Sequence, residues 1–279
     1  RGQNLDSSLV VLTWPNGVAT PTVRMSGADR VTFEHLTVQR NGVASSNAVC
    51  VDWESTLADA TTRSEYTTFR NCRLYTNSTQ FQSRLVSGMS ENDENSVRFE
   101  NTRFEGGYRG LEWSMDYSAL TLEIIGCTFT GQTQRAIALI NAGTGDPEVY
   151  IERNTIDIAT TSAIAVDIVH NSNLLQVIGN SIRAIGANAT ALQVQCAAGS
   201  PSWRVLRNNM ITCWSSARGL ALAGTVSDLG IYHNSISTQS GHSLYVTGTG
   251  SGNELIGNVL LSASAYPLFL AGSLTFAQA

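Results

Sequence analysis

The segment IERNTI at residues 151–156 is the most informative stretch of the chain, because its pattern returns at nearly constant spacing. Four later copies carry the same pattern: VIGNSI from Val177, LRNNMI from Leu206, IYHNSI from Ile231 and LIGNVL from Leu255. Each copy places one Asn between two apolar positions: Asn154, Asn180, Asn209, Asn234 and Asn258. These Asn residues follow one another after 26, 29, 25 and 24 residues. A period of this length is a signature of repeat architecture.

Earlier copies of the pattern carry other residues at the Asn position: Leu36, Cys72, Thr102 and Cys127. A second motif repeats in phase with the first, from these starting residues: Thr22, Ala48, Arg84, Gly110, Ala136, Ala163, Ala191, Gly219, Ser243 and Pro267. Most copies of the second motif alternate apolar and variable residues, which is the period of a strand with one buried face.

Two interlocked strand motifs with a period of about 24–30 residues predict an all-β fold, a right-handed parallel β-helix of about nine to ten coils. Leucine-rich repeats require Leu at fixed positions, propeller blades are longer, and helical repeats require helical periodicity. We interpret residues 1–279 as a single β-helix domain excised from a longer chain with neighbouring domains. Residues 1–20 form an N-terminal edge or cap region, and residues 21–279 form the repeats.

Stacked coils lie about 4.8 Å apart, so like residues stack on like residues. We expect the five Asn side chains to form a ladder and to use the left-handed conformation that sharp turns require. Cys72, Thr102 and Cys127 hold the same position, and we expect them to point inward as small residues. Cys72 and Cys127 are two coils apart, roughly 9–10 Å, which is too far for a disulfide.

Charge and composition exclude several classes of function. All 17 basic residues are Arg, so no lysine chemistry is available, and the net charge of −5 argues against nucleic acid. No apolar stretch reaches about 18 residues, so we expect no membrane insertion. The five Cys residues show no zinc spacing, and we expect no metal centre and no cofactor. Of the 22 carboxylates, 20 precede His170, which leaves Asp228 and Glu254 beyond it.

The repeats resemble those of pectate-lyase-like and periplasmic copper-site-type β-helix proteins. The segments VRMSGADRVTFEHLTVQR, IYHNSIST and GSGNELIGNVLLS resemble large secreted β-helix proteins of Bacteroidota most closely. The resemblance covers about residues 21–279 and implies the fold and export, with type IX secretion as the route. It therefore implies an extracellular or cell-surface location, and it specifies activity poorly.

A search for catalytic groups begins on the outer strand face, where β-helix enzymes carry them. We expect Cys50, Val86 and Ala165 to lie outward with Glu112, and neither outward column of the second motif gathers carboxylates on adjacent coils. A glycosidase needs two carboxyl groups about 5–10 Å apart. We therefore assign no catalytic residue, and the dipeptide Gly241–His242 is an isolated motif.

Acidic and aromatic residues of the first coils form a candidate binding lip: Asp52, Glu54, Tyr75, Glu91, Asp93, Glu112 and Asp116. Sugars stack on aromatic rings and bond to carboxylates, and Ca²⁺ favours clustered carboxylates. A polysaccharide or cell-surface glycan is the expected partner, with Ca²⁺ as a possible ion. On another outer face Glu34, Arg70 and Glu100 share one column, which indicates a structural ladder of ion pairs. Trp53 and Trp113 fall at inward positions and are expected in the core.

These observations leave three hypotheses open. The first is a non-enzymatic secreted or cell-surface segment with a structural or adhesive role, which contacts glycans. The alternative is a carbohydrate-active enzyme, a lyase or hydrolase, that uses the acidic N-terminal half. A trimeric spike ranks last, because it requires an exposed apolar stripe and Val86, Ile140 and Phe269 are scattered.

Overall fold

A computed structural model describes residues 10–14, 20–25, 30–40, 48–53, 66–80, 83–89, 96–114, 121–140, 147–169, 174–196 and 203–277. These ranges contain strands and turns, and no helix is found within them. Thirty strands form three parallel sheets of ten strands each, which we name A, B and C. The chain is therefore a parallel β-solenoid, and the predicted all-β class is confirmed.

Sheet A contains every third strand, starting with the first: β1 (Val11–Trp14), β4 (Thr37–Arg40), β7 (Arg73–Thr76), β10 (Arg103–Gly106), β13 (Thr128–Thr130), β16 (Thr155–Ile158), β19 (Ser181–Ala184), β22 (Met210–Cys213), β25 (Ser235–Thr238) and β28 (Val259–Ser262). Sheet B follows it in each coil: β2 (Val23–Met25), β5 (Val49–Trp53), β8 (Arg84–Met89), β11 (Arg109–Ser114), β14 (Arg135–Ile140), β17 (Ile164–Val169), β20 (Thr190–Cys196), β23 (Arg218–Val226), β26 (Leu244–Val246) and β29 (Leu268–Leu270).

Sheet C closes each coil: β3 (Thr32–Glu34), β6 (Thr67–Arg70), β9 (Ser96–Glu100), β12 (Thr121–Ile125), β15 (Glu148–Glu152), β18 (Leu174–Ile178), β21 (Trp203–Arg207), β24 (Leu229–Tyr232), β27 (Gly250–Ile256) and β30 (Leu274–Phe276). The first sequence motif therefore spans two sheets, since its strand belongs to sheet C and the residues after its turn belong to sheet A. In each sheet the two edge strands have one neighbour. About eight turns are thus stacked on both sides, slightly fewer than the nine to ten coils expected.

The interior is filled by files of apolar side chains, one contribution from each coil. The rings of Phe69 and Phe99 stack at 5.5 Å, and Trp53 packs against Trp113 at 5.1 Å between ring centroids. Both Trp side chains are buried in the core, as expected. Gly88 makes room for them, because a Cβ atom at this position would lie 2.2 Å from the Trp113 ring.

The five Asn side chains lie in one file at the turn from sheet C to sheet A, and the first four are buried while Asn258 is partly buried. Each amide Nδ2 of the first four donates to the Oδ1 of the next Asn, over 3.0 Å from Asn154 to Asn180 and 2.9 Å from Asn180 to Asn209. The same nitrogen also donates to a carbonyl of the preceding coil, as Asn209 does to Val177 O at 2.8 Å. The ladder ties each coil to both of its neighbours.

The ladder position continues upstream with smaller residues. Cys72, Thr102 and Cys127 are all buried there, as expected. The backbone N–H of Cys127 donates to Asn154 Oδ1 over 2.7 Å. Burial raises the pKa of Cys127 to about 12, so its thiol stays protonated at neutral pH and acts as a small core residue.

The left-handed turn residue is the one before the ladder residue, which corrects the expectation that the Asn itself takes this conformation. Nine such residues have φ between 49° and 67°: His35, Asn71, Asn101, Gly126, Arg153, Gly179, Asn208, His233 and Gly257. A left-handed residue reverses the chain direction sharply, and the next residue then points into the interior. The ladder Asn is thus selected by its buried amide hydrogen bonds.

The register of sheet B also differs from the expected one. Cys50, Val86 and Ala165 are fully buried, so these three residues do not face outward as expected. The outward column beside Glu112 is occupied instead by Asp52, Ser87 and Asp167. A shift of one or two residues within a strand moves a side chain between the two faces of the sheet or along one face.

We expect Asn209→Ala to lower the free energy of unfolding by about 2–5 kcal/mol, because it leaves several buried hydrogen-bonding groups without partners. Chemical denaturation monitored by circular dichroism measures this change. The neighbouring substitution Asn208→Gly is the matched control, because Asn208 is exposed at φ 57° and Gly adopts that angle readily. Equal stability of Asn209→Ala and wild type would contradict a stabilising role of the ladder.

Candidate functional site

The outer face of sheet B carries carboxylates at every second coil. By strand register Asp52, Ser87 and Glu112 follow one another, and Ala138 and Asp167 come next. Glu112 and Asp167 are therefore two coils apart, roughly 9–10 Å by strand spacing. This spacing lies near the range of carboxyl pairs in glycosidases, so the partners of each carboxylate decide what chemistry is available.

Glu112 is held by two arginines of the same face. Its Oε2 forms an ion pair with Arg84, and its Oε1 accepts from Nη1 of Arg109. Nε of Arg109 donates in turn to Gln134 Oε1 over 2.7 Å. Both carboxylate oxygens of Glu112 are therefore engaged in the protein itself.

Asp167 is held in the same way and is almost fully buried, with 2% of its surface exposed. Its Oδ2 lies 2.7 Å from Nε of Arg135, and its Oδ1 accepts from Gln193 Nε2 over 3.0 Å. Burial raises the pKa of Asp167, although Arg135 and Gln193 act against that shift. The two carboxylates thus form a closed network with three stacked arginines.

Stacked rings cover the same face further along the solenoid. Tyr245 and Phe269 stack at 4.9 Å with 7° between their planes, and His242 lies 4.9 Å from Phe269. The guanidinium of Arg218 lies 4.1 Å from the centroid of the Tyr245 ring. Both faces of Tyr245 are therefore covered by protein groups, which is the arrangement of a stabilising ladder.

The residues of the predicted binding lip are only partly brought together. Asp52 and Glu112 share the outward column of sheet B, with Ser87 between them. Tyr75 lies on sheet A instead, where the guanidinium of Arg73 lies 4.7 Å from its ring centroid.

The other four residues of the lip lie outside the described residues: Glu54, Glu91, Asp93 and Asp116. Among the described residues, no group of three or more His, Cys, Asp or Glu side chains converges on a point. The expectation of Ca²⁺ at the lip remains a prediction.

The first half of the outer face of sheet C is a ladder of ion pairs. Arg70 lies between Glu34 and Glu100, with nitrogen–oxygen distances of 3.8 and 3.0 Å. Arg98 joins Glu100 to Glu123, at 3.4 and 2.8 Å. Arg70 and, less strongly, Arg98 lower the pKa of Glu100, while burial acts against them. This column is the charge ladder that the sequence indicates.

The second half of the same face holds a shallow cleft that the sequence did not reveal. We call it the sheet C cleft, and its principal residues are Trp203, Asp228, Gly230, Tyr232 and Glu254. Four of them lie in β21, β24 and β27, three successive strands of sheet C, and Asp228 directly precedes β24.

The strand register places these residues around one small residue. Gly230 pairs with Glu254 on the next coil, and the backbone N–H of Asp228 donates to Ser251 O over 3.0 Å. Arg204 pairs with Leu229 on the next coil. The residues directly before them, Trp203 and Asp228, are therefore neighbours on successive coils. A Cβ atom on Gly230 would lie 2.3 Å from the Tyr232 ring, so the glycine lets this ring lie flat along the floor.

The chemistry of the cleft differs from that of the rest of the surface. Trp203 is 77% exposed, although it is one of the largest apolar side chains of the protein. The hydroxyl of Tyr232 donates to Glu254, and this hydrogen bond, followed by burial, raises the pKa of Tyr232. Neither Asp228 nor Glu254 forms an ion pair with a described residue.

Ion pairing is the usual state of the other described carboxylates. Eight of them pair with an arginine: Glu34, Glu100, Glu105, Glu112, Glu123, Glu152, Asp157 and Asp167. The sequence contained one signal for the cleft, since Asp228 and Glu254 are the only two carboxylates after His170. Their spacing of 26 residues is one coil plus two positions, which places them diagonally on one face.

Comparisons with protein-family models, with curated proteins and with solved structures find no match to the chain. Within the described ranges, no helix is long and apolar enough to cross a bilayer.

We expect Glu100→Gln to destabilise the protein at neutral pH and to have little effect in acid. Folding lowers the pKa of Glu100. The charged carboxylate therefore stabilises the folded state above the ordinary pKa of glutamate, and this stabilisation is lost as pH falls through the lowered pKa. Thermal unfolding of both proteins over a pH series measures the difference. A difference that persists unchanged in acid would contradict the assignment of this stability to the Arg70 and Arg98 pairs.

Proposed function

We propose that this chain is a non-enzymatic segment of an exported β-solenoid protein, with a structural and adhesive role, and that it contacts glycans through the sheet C cleft. The observation that carries the proposal is the exposed Trp203 ring beside two carboxylates, neither of which pairs with an arginine in the part of the chain that the structure describes. Pyranose rings stack on exposed aromatic faces, and their hydroxyl groups donate to carboxylates.

The state of sheet B supports the non-enzymatic part of the proposal over a carbohydrate-active enzyme. General acid and base catalysis requires carboxyl groups that reach the substrate. Glu112 and Asp167 have roughly the spacing of such a pair, but both oxygens of each carboxylate already contact arginine or glutamine side chains. This arrangement favours a role of the two carboxylates in stability.

The proposal also includes export from the cell and neighbouring domains in the same chain. The resemblance of the segments at residues 23–40 and 231–238 to secreted β-helix proteins of Bacteroidota supports a pectate-lyase-like relationship, type IX export and an extracellular or cell-surface location. We propose that neighbouring domains of a longer chain adjoin the solenoid. A glycan partner fits the charge of the protein better than nucleic acid does.

We expect the protein to bind at least one polysaccharide of a broad panel without degrading it, and we expect Trp203→Ala to lower that affinity about tenfold or more, since the stacking surface is lost. Affinity electrophoresis in polysaccharide gels measures binding, and a reducing-end assay measures cleavage. Trp214→Ala is the matched control, because Trp214 is also exposed, at 50%. Cleavage of any polysaccharide, or equal binding by Trp203→Ala and wild type, would contradict the proposal.

We expect Glu112→Gln to lower the free energy of unfolding by about 1–3 kcal/mol, because Arg84 and Arg109 then face each other without the charge between them. Thermal and chemical denaturation measure this effect. Glu148→Gln serves as control, since Glu148 is exposed on sheet C and, among the described residues, accepts from the Tyr150 hydroxyl alone. A variant at Glu112 that keeps full stability but loses a polysaccharide-cleaving activity would establish the enzymatic alternative.

A further inference from the structure

We infer that the sheet C cleft selects saccharide units that carry a protonated amine, as in a polymer of de-N-acetylated hexosamine. This inference rests on the proposed function, because it takes the cleft to be a glycan site and names the class of glycan. Its basis is the combination of an exposed aromatic ring with two carboxylates that lack a cationic partner among the described residues.

The distribution of charge along the chain is the first argument. The last 109 residues contain four arginines but only two carboxylates, Asp228 and Glu254, and both line this one cleft. On the rest of the described surface, arginine is the habitual partner of a carboxylate. In a region with more arginines than carboxylates, two carboxylates that lack an arginine partner among the described residues therefore mark a place where an external cation is favoured.

The single arginine that lines the cleft does not fill this role. Arg204 is 2% exposed, and its Nη1 donates to Ser227 O over 3.0 Å beneath the surface. The charged groups that face the solvent in the cleft are thus Asp228 and Glu254. Such a surface repels uronic acids and sulfated sugars and attracts ammonium groups.

The geometry suits one sugar ring with one ammonium group. Asp228 and Glu254 lie on successive coils and are offset by two positions, which corresponds to roughly 8 Å between their backbones. The carboxylate of Asp228 lies over Gly252. Glu254 accepts from the Tyr232 hydroxyl, which lies over Gly230, and Trp203 lines the same cleft. A pyranose ring on the indole places an amino substituent within reach of both carboxylates.

The aromatic rings add to this preference. An ammonium group, or the polarised C–H face of a sugar that carries one, is attracted to the negative face of an indole ring. An N-acetyl group in the same place has no charge and adds bulk over the narrow floor set by Tyr232. A neutral hexose retains the stacking contact but leaves both carboxylates without a cation.

The test compares oligomers of equal length made from glucosamine, N-acetylglucosamine and glucose. Isothermal titration calorimetry on the intact chain measures affinity, and quenching of Trp fluorescence reports contact with the indole. We expect the glucosamine oligomer to bind about tenfold or more tightly than the other two, with a preference that weakens as salt is added.

Isosteric variants separate the charge from the shape of the cleft. We expect Asp228→Asn and Glu254→Gln each to lower the affinity for the glucosamine oligomer several-fold more than they lower the affinity for the glucose oligomer. Gln at position 254 retains an oxygen that accepts from the Tyr232 hydroxyl, so the fold of the cleft is preserved. Glu148→Gln removes one charge elsewhere on sheet C and controls for net charge, and thermal unfolding confirms that each variant folds.

The outcomes distinguish this inference from the proposed function. If the neutral or acetylated oligomers bind as tightly as the amine and Trp203→Ala abolishes that binding, the glycan site stands and the preference for amines is wrong. If neither carboxylate variant weakens amine binding, the inference is wrong as well. If no oligomer or polysaccharide binds at this cleft, both proposals fail.

Discussion

Hydrogen bonding along the solenoid axis is the constraint on which this structure depends. Every strand pairs in parallel with the strand one coil away, and the buried Asn file repeats the same connection with side-chain amides. A buried amide that loses its partner is costly, so the file tolerates no slip between coils. The register at the turn is carried into the three sheets, apart from local shifts at Val194–Cys196 and Gly250–Asn253, and side chains on each outer face therefore line up in columns.

These columns explain why the surface is so closely paired. Once like positions stack about 4.8 Å apart, a column of unpaired like charges is unfavourable, and opposite charges on neighbouring coils are favourable. The chain uses arginine alone as its cation, and its planar guanidinium reaches two carboxylates at once, as Arg70 and Arg98 do. Against this background the sheet C cleft differs, because it combines an exposed indole with two carboxylates that lack an arginine partner among the described residues.

The candidate site was harder to predict than the fold. The predicted lip grouped Asp52, Glu112 and Tyr75 because they lie in neighbouring coils, but Tyr75 faces outward from sheet A and the other two from sheet B. The cleft went unnoticed because its members come from three coils and differ in residue type. A repeat pattern identifies the positions whose residue type recurs in every coil. It gives no information about residues, such as those of the cleft, that occur in one coil only.

The sequence by itself determined the repeat length, the parallel stacking, the turn file of Asn residues and the inward apolar positions, because each of these recurs once per coil. Tertiary structure alone decided the register within sheet B, the left-handed residue before each ladder position and the side-chain partners on the outer faces. Cys50, Val86 and Ala165 show why, since a shift of one or two residues in a strand of small residues leaves the pattern almost unchanged but decides which side chains are buried. The pairing of Glu112 and Asp167 with arginines, and the lack of such pairing at Asp228 and Glu254, depend on distances that only the stacked coils define.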